Sequence, residues 1–417
     1  MQAEVITIGD ELLLGQTIDT NSAWMGEHLA LSGITVKRIV SIADDAAAIV
    51  SALDDALTRS DLVLVTGGLG PTRDDITKAV LAEYFKTPLI MNEDVLRNIT
   101  EWFNGKGLTM LEVNRQQAQM PAACEVLDNP QGTAQGMWFN VPDSNRVVVS
   151  MPGVPYEMKG IMREQVIPRL QERRVLPILC HRTILTQGIG ESYLSELVQD
   201  WEEGLADKGV SIAYLPATGQ VRVRLSAVGE KARECVDQEV GVFKTMAANW
   251  VISDNDETLA FVLGRELQTQ GLTCATAESC TGGAIAASLT SQTGSSAYFL
   301  GSVVAYSNEV KSQVLGVDQE DLKKMGPVSD TVVRQMAEGV RRLTGADYAI
   351  ATTGIAGPGG GTESVPVGTV WVSIASSNQT WSKCLQLGQH RGRIISRAVS
   401  EAQAWLFRIL RQDKSLR

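Results

Sequence analysis

The stretch TAESCTGG (276–283) sets a hydroxyl, Ser279, beside a thiol, Cys280, between the carboxylate of Glu278 and the glycines Gly282 and Gly283. Either side chain is a candidate nucleophile for acyl transfer, given a base and donors for the oxyanion. Histidine bases are scarce: the chain has only His28, His181 and His390. His390 stands next to Arg391 with no adjacent carboxylate to orient it, which disfavours a Ser-His-Asp triad. Cys280, just ahead of an expected helix start, would have a lowered pKa; its plainer reading is a small buried residue at a strand–helix junction. For Ser279 the base in view is Lys311, in VVAYSNEVKSQVLG (303–316). There a strand ends near Ser307, Asn308 suits the N-cap, and Lys311 falls at the third helical position. A cation at that end opposes the helix dipole, and burial adds to the pressure toward a neutral amine. A lysine base must fall from ~10.4 to ~7–8. The alternative is a surface lysine on an amphipathic helix. Tyr306, ahead of the cap, reads either as a proton relay that orients the lysine or as a strand tyrosine with one wet end.

The backbone N–H groups from Cys280 through Thr281, Gly282 and Gly283 would face a carbonyl attacked by Ser279. TTGIAGPGGG (352–361), with Gly354, Ala356 and Gly357, reads as a ligand-facing glycine loop after an apolar strand, and Arg391 near a helix start suits a phosphate. A second set of residues lies near the N-terminus. GDELLLGQTIDTN (9–21) carries Asp10, Glu11, Asp19 and Asn21; TGGLGPTRDD (66–75) carries Gly67, Gly68, Gly70, Pro71, Thr72, Asp74 and Asp75; PGVPYEM (152–158) carries Gly153, Pro155 and Glu157. All three follow apolar strands, and loops at the carboxyl ends of parallel strands form the binding crevice of an open sheet. The glycines suit phosphate, and Asp10, Asp74 and Asp75 suit Mg²⁺ or another divalent cation. Their bland reading is helix capping. No Walker A and no G-x-G-x-x-G occurs, so neither a P-loop NTPase nor a dinucleotide-binding dehydrogenase is indicated.

The elements that must position these loops alternate strand and helix, which predicts α/β layers. Strands are expected over 3–9, 34–42, 61–68 and 146–153, with helices over 20–33, 45–60, 74–85 and a closing one from Val154 to Leu170. Segment 171–252 is a small α+β unit with two-fold alternation in GQVRVRLSAVG (219–229). Segment 253–417 is a third, α/β unit, with a helix ending at Gly271, strands near 272–279, 301–307, 346–354, 367–375 and 380–387, and a last helix from about Gly392. At 417 residues the chain exceeds one ordinary core. Its net charge of -11 disfavours a non-specific nucleic-acid binder, and the middle unit, with nine Lys and Arg against eleven Asp and Glu, is not basic. No apolar run approaches the ~20 residues of a membrane span, and the six cysteines form no zinc or disulfide pattern. The expectation is a cytoplasmic protein with no membrane or nucleic-acid partner.

TAESCTGG, GSVVAYSNEVKSQVLGV, GPVSDTVVRQMAEGVR, ADYAIATTGIAGPGGG and PVGTVWVSIAS, in that order, resemble the C-terminal domain of the CinA family, which is similar to nicotinamide mononucleotide deamidase. The resemblance implies hydrolysis of the nicotinamide amide to nicotinate mononucleotide and ammonia without a cofactor. It implies Ser279 as nucleophile, Tyr306 and Lys311 as its activating partners, and substrate contacts at Glu278, Cys280, Thr281, Gly282, Gly283, Asn308, Gly354, Ala356, Gly357 and Arg391. Many relatives carry Gly-Asp-Arg before the last helix where this chain reads GQHRGR (388–393), which leaves Arg393 as the alternative to Arg391. The three N-terminal loops resemble the molybdopterin-binding fold. For that domain the resemblance implies either ADP-ribose pyrophosphatase activity, with a divalent cation and K⁺, or binding of a pterin or nucleotide without turnover. Segment 171–252 is similar to the family's KH-like linker and is expected to be a spacer or dimer element, and the family implies a homodimer.

Overall fold

The structure is a computed structural model and describes residues 1–173 and 178–413. Positions 174–177 and 414–417, which the expected middle and C-terminal segments include, lie outside the described residues. The chain divides into two compact units, Met1–Cys180 with Val228–Ala232, and His181–Ala227 with the chain from Arg233 onward. Among the described residues no helix is long and apolar enough to cross a membrane.

The first unit is built on the strands β1 (Gln2–Ile8), β2 (Thr35–Ile42), β3 (Leu62–Thr66), β6 (Glu125–Leu127), β7 (Gly136–Asn140) and β8 (Val147–Met151), in the spatial order β2-β1-β3-β8-β7-β6. A separate ribbon pairs β4 (Leu89–Met91) with β5 (Gln119–Pro121). Strands β2, β1, β3 and β8 are parallel, β7 pairs antiparallel with β8, and β6 pairs antiparallel with β7. Successive residues of the central strands enter opposite cores. Ile6, Val63, Val65 and Val148 pack under helices Ala46–Arg59 and Thr77–Tyr84. Val5, Leu62, Leu64 and Val149 pack under helices Thr20–Leu31 and Pro155–Ile161. Burial on both faces is why these strands read as unbroken apolar runs. The helix expected from residue 74 begins at Thr77. Asp75 is kept outside it because its carboxylate accepts from the Thr72 backbone N–H (2.9 Å) and hydroxyl, closing a turn.

The second unit holds two sheets. Strands β9 (Leu179–Gln187), β10 (Val210–Ala217), β11 (Gln220–Val228) and β12 (Val251–Ser253) stand in the order β10-β11-β9-β12. Strand β11 buries Val221, Val223 and Leu225, the alternation legible in its sequence. The larger sheet has β13 (Cys274–Glu278), β14 (Phe299–Val304), β15 (Tyr348–Gly354), β16 (Thr369–Ala375) and β17 (Thr380–Gln386) in the order β14-β13-β15-β16-β17. Strands β14, β13 and β15 are mutually parallel, so their carboxyl ends meet at one edge. One face buries Cys274, Ile350, Val370, Val372 and Ile374 beneath helices Leu259–Gln270, Ala284–Thr290 and Arg391–Asp413. The other presents Ala275, Ala277, Ala349 and Ala351 to helix Asp330–Thr344. Small residues on that face let the helix lie close, and Gly339 continues the close approach: a Cβ there would meet the Leu315 carbonyl oxygen at 2.0 Å.

Candidate active site

Strand alternation decides which of Ser279 and Cys280 meets a base. Along β13, Cys274 belongs to one core, and Ala275 and Ala277 to the other. Carried past the strand end, that period leaves Glu278 and Cys280 on the Cys274 side and turns Ser279 toward the side of Leu315 and Val317. The residue on that side is Lys311. Its Nζ lies 3.1 Å from Ser279 Oγ, 2.8 Å from the Ala305 carbonyl oxygen and 3.4 Å from that of Tyr306. Lys311 is only 2% exposed and ranks among the largest fully buried side chains. No carboxylate of the described residues forms an ion pair with it. Burial therefore pulls its pKa below the ordinary lysine value, while Cys280 and Glu309 oppose this more weakly. A neutral amine has two N–H groups and one lone pair. In that form the two carbonyls take the N–H groups, and the lone pair is left to accept the Ser279 hydroxyl proton.

Cys280 is 7% exposed, and burial pushes its thiol up to about 12. The lowered pKa expected from the helix start is thus overturned by desolvation. Tyr306 is placed differently from the expected orienting role. It is 63% exposed, its hydroxyl accepts from Arg391 Nη2 at 3.4 Å, and only its backbone carbonyl touches Lys311. The N-cap is Ser307, whose Oγ accepts from Val310 N, not Asn308. Asn308 opens the helix, exposed, and Lys311 becomes its fourth residue. A serine one residue earlier competes successfully because it, too, is a favoured cap.

Glu278 is fully buried, and its role is to hold the turn. Oε2 accepts from Thr281 Oγ1 (2.7 Å), Gly283 N (3.1 Å) and Ile285 N (3.0 Å), and Oε1 accepts from Ala286 N (2.8 Å). The carboxylate thus satisfies the orphan donors of helix Ala284–Thr290. This narrows the expected row of oxyanion donors. Gly283 N is taken by Glu278, and Gly282 N by the Ser279 carbonyl. The N–H groups of Cys280 and Thr281 carry no backbone or carboxylate partner among the described residues. Gly282 (φ 63°) and Gly283 (φ 97°) make the left-handed turn that brings this about. Thr352, not singled out in the sequence, locks the turn from β15: its carbonyl accepts from Ser279 N, and its hydroxyl lies 2.7 Å from that of Thr281. The sequence signal was its place at the strand end, two residues before the glycine loop.

That loop closes the other side. Gly354 and Gly357 have no room for a Cβ, which would meet Thr369 O at 2.6 Å and Val367 Cγ1 at 2.6 Å, and Ala356 is buried. Arg391, first residue of the last helix, donates to the Gly357 carbonyl at 2.9 Å. Arg393 instead lines a different cavity with His390 and Arg397. The structure thus brings Ser279, Cys280, Thr281, Lys311, Gly357 and Arg391 to one edge.

In the first unit, Gly67 and Gly153 stand at the ends of β3 and β8, so close that a Cβ on Gly153 would sit 3.4 Å from Gly67 Cα. Asn21 joins them: Nδ2 donates to Gly153 O (2.7 Å) and Thr66 Oγ1 (3.2 Å), while its buried Oδ1 has no partner. Gly68 has no room for a Cβ beside Thr77 Oγ1, nor Gly70 beside the Asp75 carboxylate. Asp19 caps helix Thr20–Leu31 through Ser22 N, Pro155 opens its helix, and Pro71 is exposed. Glu157 is buried against Asn129 Nδ2 at 2.5 Å, and burial raises its pKa. Asp10 N donates to Asp44, a carboxylate missed in the sequence, whose pKa is raised by burial and by Asp10, Glu11 and Asp74. Thr72 holds the carboxyl of Asp74 below its ordinary value. The described residues contain no group of three or more His, Cys, Asp or Glu arranged to hold a metal ion, and Asp75 is engaged by Thr72.

Residues 4–172 match the probable molybdopterin binding domain, 181–240 the damage-inducible protein CinA KH domain, and 256–410 the CinA C-terminal domain. A CinA-like protein from Flavobacterium psychrophilum is 43% identical across 100% of both chains. The chain belongs to the CinA family. Another CinA-like protein, from Cytophaga hutchinsonii, is 44% identical over 93% of each chain. Among solved structures, the competence/damage inducible protein CihA from Agrobacterium tumefaciens is 38% identical over 37% of this chain and 97% of its own, with a TM-score of 0.35. The Ser279–Lys311 pair lies inside the segment matched to the CinA C-terminal domain.

Proposed function

We propose that this CinA protein hydrolyses the amide of nicotinamide mononucleotide at Ser279. The observation that carries the reading is the buried Lys311 Nζ at 3.1 Å from Ser279 Oγ, within the 2.6–3.2 Å reach of a general base. Lys311 takes the Ser279 proton as Oγ attacks the amide carbon. The oxyanion is held by the Cys280 and Thr281 N–H groups. The Lys311 ammonium then returns the proton to the departing nitrogen, which leaves as ammonia, and an ester on Ser279 remains. Water, deprotonated by the same amine, cleaves that ester to nicotinate mononucleotide and restores Ser279. Arg391, anchored on Gly357, holds the 5′-phosphate. Incubation of the full chain with nicotinamide mononucleotide should yield ammonia and nicotinate mononucleotide in equal amounts. Ammonia release indistinguishable from the uncatalysed background would overturn the substrate assignment.

For the first unit the unpartnered Oδ1 of Asn21, beside the Gly67 and Gly153 turns, favours a bound ligand with a donor group. The ligand that the family resemblance supplies is ADP-ribose. AMP formation from ADP-ribose in the presence of Mg²⁺ and K⁺ would make the unit a pyrophosphatase; binding without AMP would make it a ligand-holding module.

A further inference from the structure

We infer that the second unit carries an anion site distinct from the Ser279 centre, built for the phosphates of a nucleotide-sized molecule. A cavity of about 710 Å³ opens between the β10–β11 turn and the start of the last helix, lined by Thr218, Gly219, Leu387, His390, Arg393 and Arg397 among others. That volume lies within the ~300–1,000 Å³ range of small-molecule sites.

The charge of the lining is one-sided. It includes two arginines and a histidine, and neither Asp nor Glu. In a chain with 48 acidic and 37 basic residues that is a departure from the average surface. Arg393 and Arg397 sit one turn apart on the same helix face, where like charges repel. About half of the described guanidinium groups of this unit are paired, among them Arg222 with Asp256, Arg265 with Glu257, Arg334 with Asp330, and Arg408 with the Gln187 carbonyl. Arg393 and Arg397 have neither an ion pair nor a hydrogen bond to any described residue. Two forked donors facing one space with no acceptor are matched by a phosphate pair. Leu387, with Pro216 and Ala217 at the end of β10, supplies an apolar wall suited to a base or sugar.

The site is separate from the reaction centre although its residues flank Arg391. Arg391 turns toward Gly357 and Tyr306, whereas its neighbours at 390 and 393 face the cavity. The turn is itself fixed to the last helix, since Gln220 Nε2 donates to Ser400 Oγ at 3.0 Å.

Calorimetric titration of the full chain with ADP, inorganic pyrophosphate and adenosine tests this without reading activity, so its outcome is independent of the deamidase assignment. ADP and pyrophosphate should bind and adenosine should not. One ADP site per chain should weaken at least tenfold in Arg393→Gln/Arg397→Gln and persist in Arg391→Gln. Arg393→Lys/Arg397→Lys should recover part of the affinity, which shows that the fold tolerates change there. Equal ADP binding by the wild type and the double glutamine variant, including no binding by either, would overturn the inference. So would loss of the same site in Arg391→Gln, or adenosine binding as tightly as ADP.

Discussion

A lysine amine works as a base only while it is neutral, and burial without a carboxylate partner shifts Lys311 toward that form. The rate of ammonia release should therefore rise with pH through a Lys311 pKa below 10.5 and level off above it. A pH–rate profile checks this; a profile that falls across the same range would contradict it. Arginine cannot give up its proton in this range, so Lys311→Arg should lose activity by ~10²–10⁴-fold at every pH, in contrast to a charge-only role. Lys311 was legible because a cation near a helix start breaks a local preference. For Tyr306 the sequence could not tell a side-chain contact from a backbone one: its carbonyl, not its ring, touches the amine. Glu278 was legible as a neighbour of the site but not as the acceptor for helix Ala284–Thr290, since its partners are fixed only once the glycine turn has folded the helix back onto it.

At the level of elements, the pair forms because β13 and β14 are parallel neighbours, so that the turn after one and the helix after the other emerge together. The position of helix Asn308–Gln313 depends on the segment just beyond its C-terminus. There Leu315 packs into the core under Gly339, whose missing Cβ would meet the Leu315 carbonyl oxygen at 2.0 Å. Gly339→Ala should displace this segment, destabilise the chain by about 1–3 kcal/mol, and lower ammonia release through a shifted Lys311 although residue 339 touches no reacting group. Urea denaturation and the deamidase assay on one preparation check both; unchanged stability and rate would mean that the approach is not as tight as described. Strands β1, β3, β8, β13 and β15 were readable as apolar runs. Strands β4, β5 and β6 were not, because three residues are too few to display alternation. The helix start at Thr77 was misplaced because Asp75, a good N-cap type, is captured by Thr72 instead.

Across the whole molecule, several acidic hydrogens are buried. Burial raises the thiols of Cys124 to about 11 and of Cys274 and Cys280 to about 12, from 9.0, and also raises the phenols of Tyr84 and Tyr214. For each, the unfolded chain gives up its proton at a lower pH than the folded one. The stability they contribute is full below pH 9 and is lost as pH rises toward 12. Lys78, lowered to about 8 by burial, acts in the opposite sense between pH 8 and 10.5, as does Lys311, but two lysines face five raised groups. Reversible urea unfolding under reducing conditions should therefore show stability falling between pH 9 and pH 10.5; a rise would contradict the burial described. The α/β class and the order of the three family segments were legible because each carries its own blocks of sequence. The cationic cavity between the β10–β11 turn and the last helix was not, because its walls are about 170 residues apart in the chain.

The proposed chemistry rests on the serine, and not the adjacent thiol, being the nucleophile. Ammonia release by Ser279→Ala and Cys280→Ala, measured side by side, decides between them. The geometry predicts that Ser279→Ala falls to background with an unchanged melting temperature, while Cys280→Ala retains turnover. Full turnover in Ser279→Ala, with loss in Cys280→Ala, would contradict it.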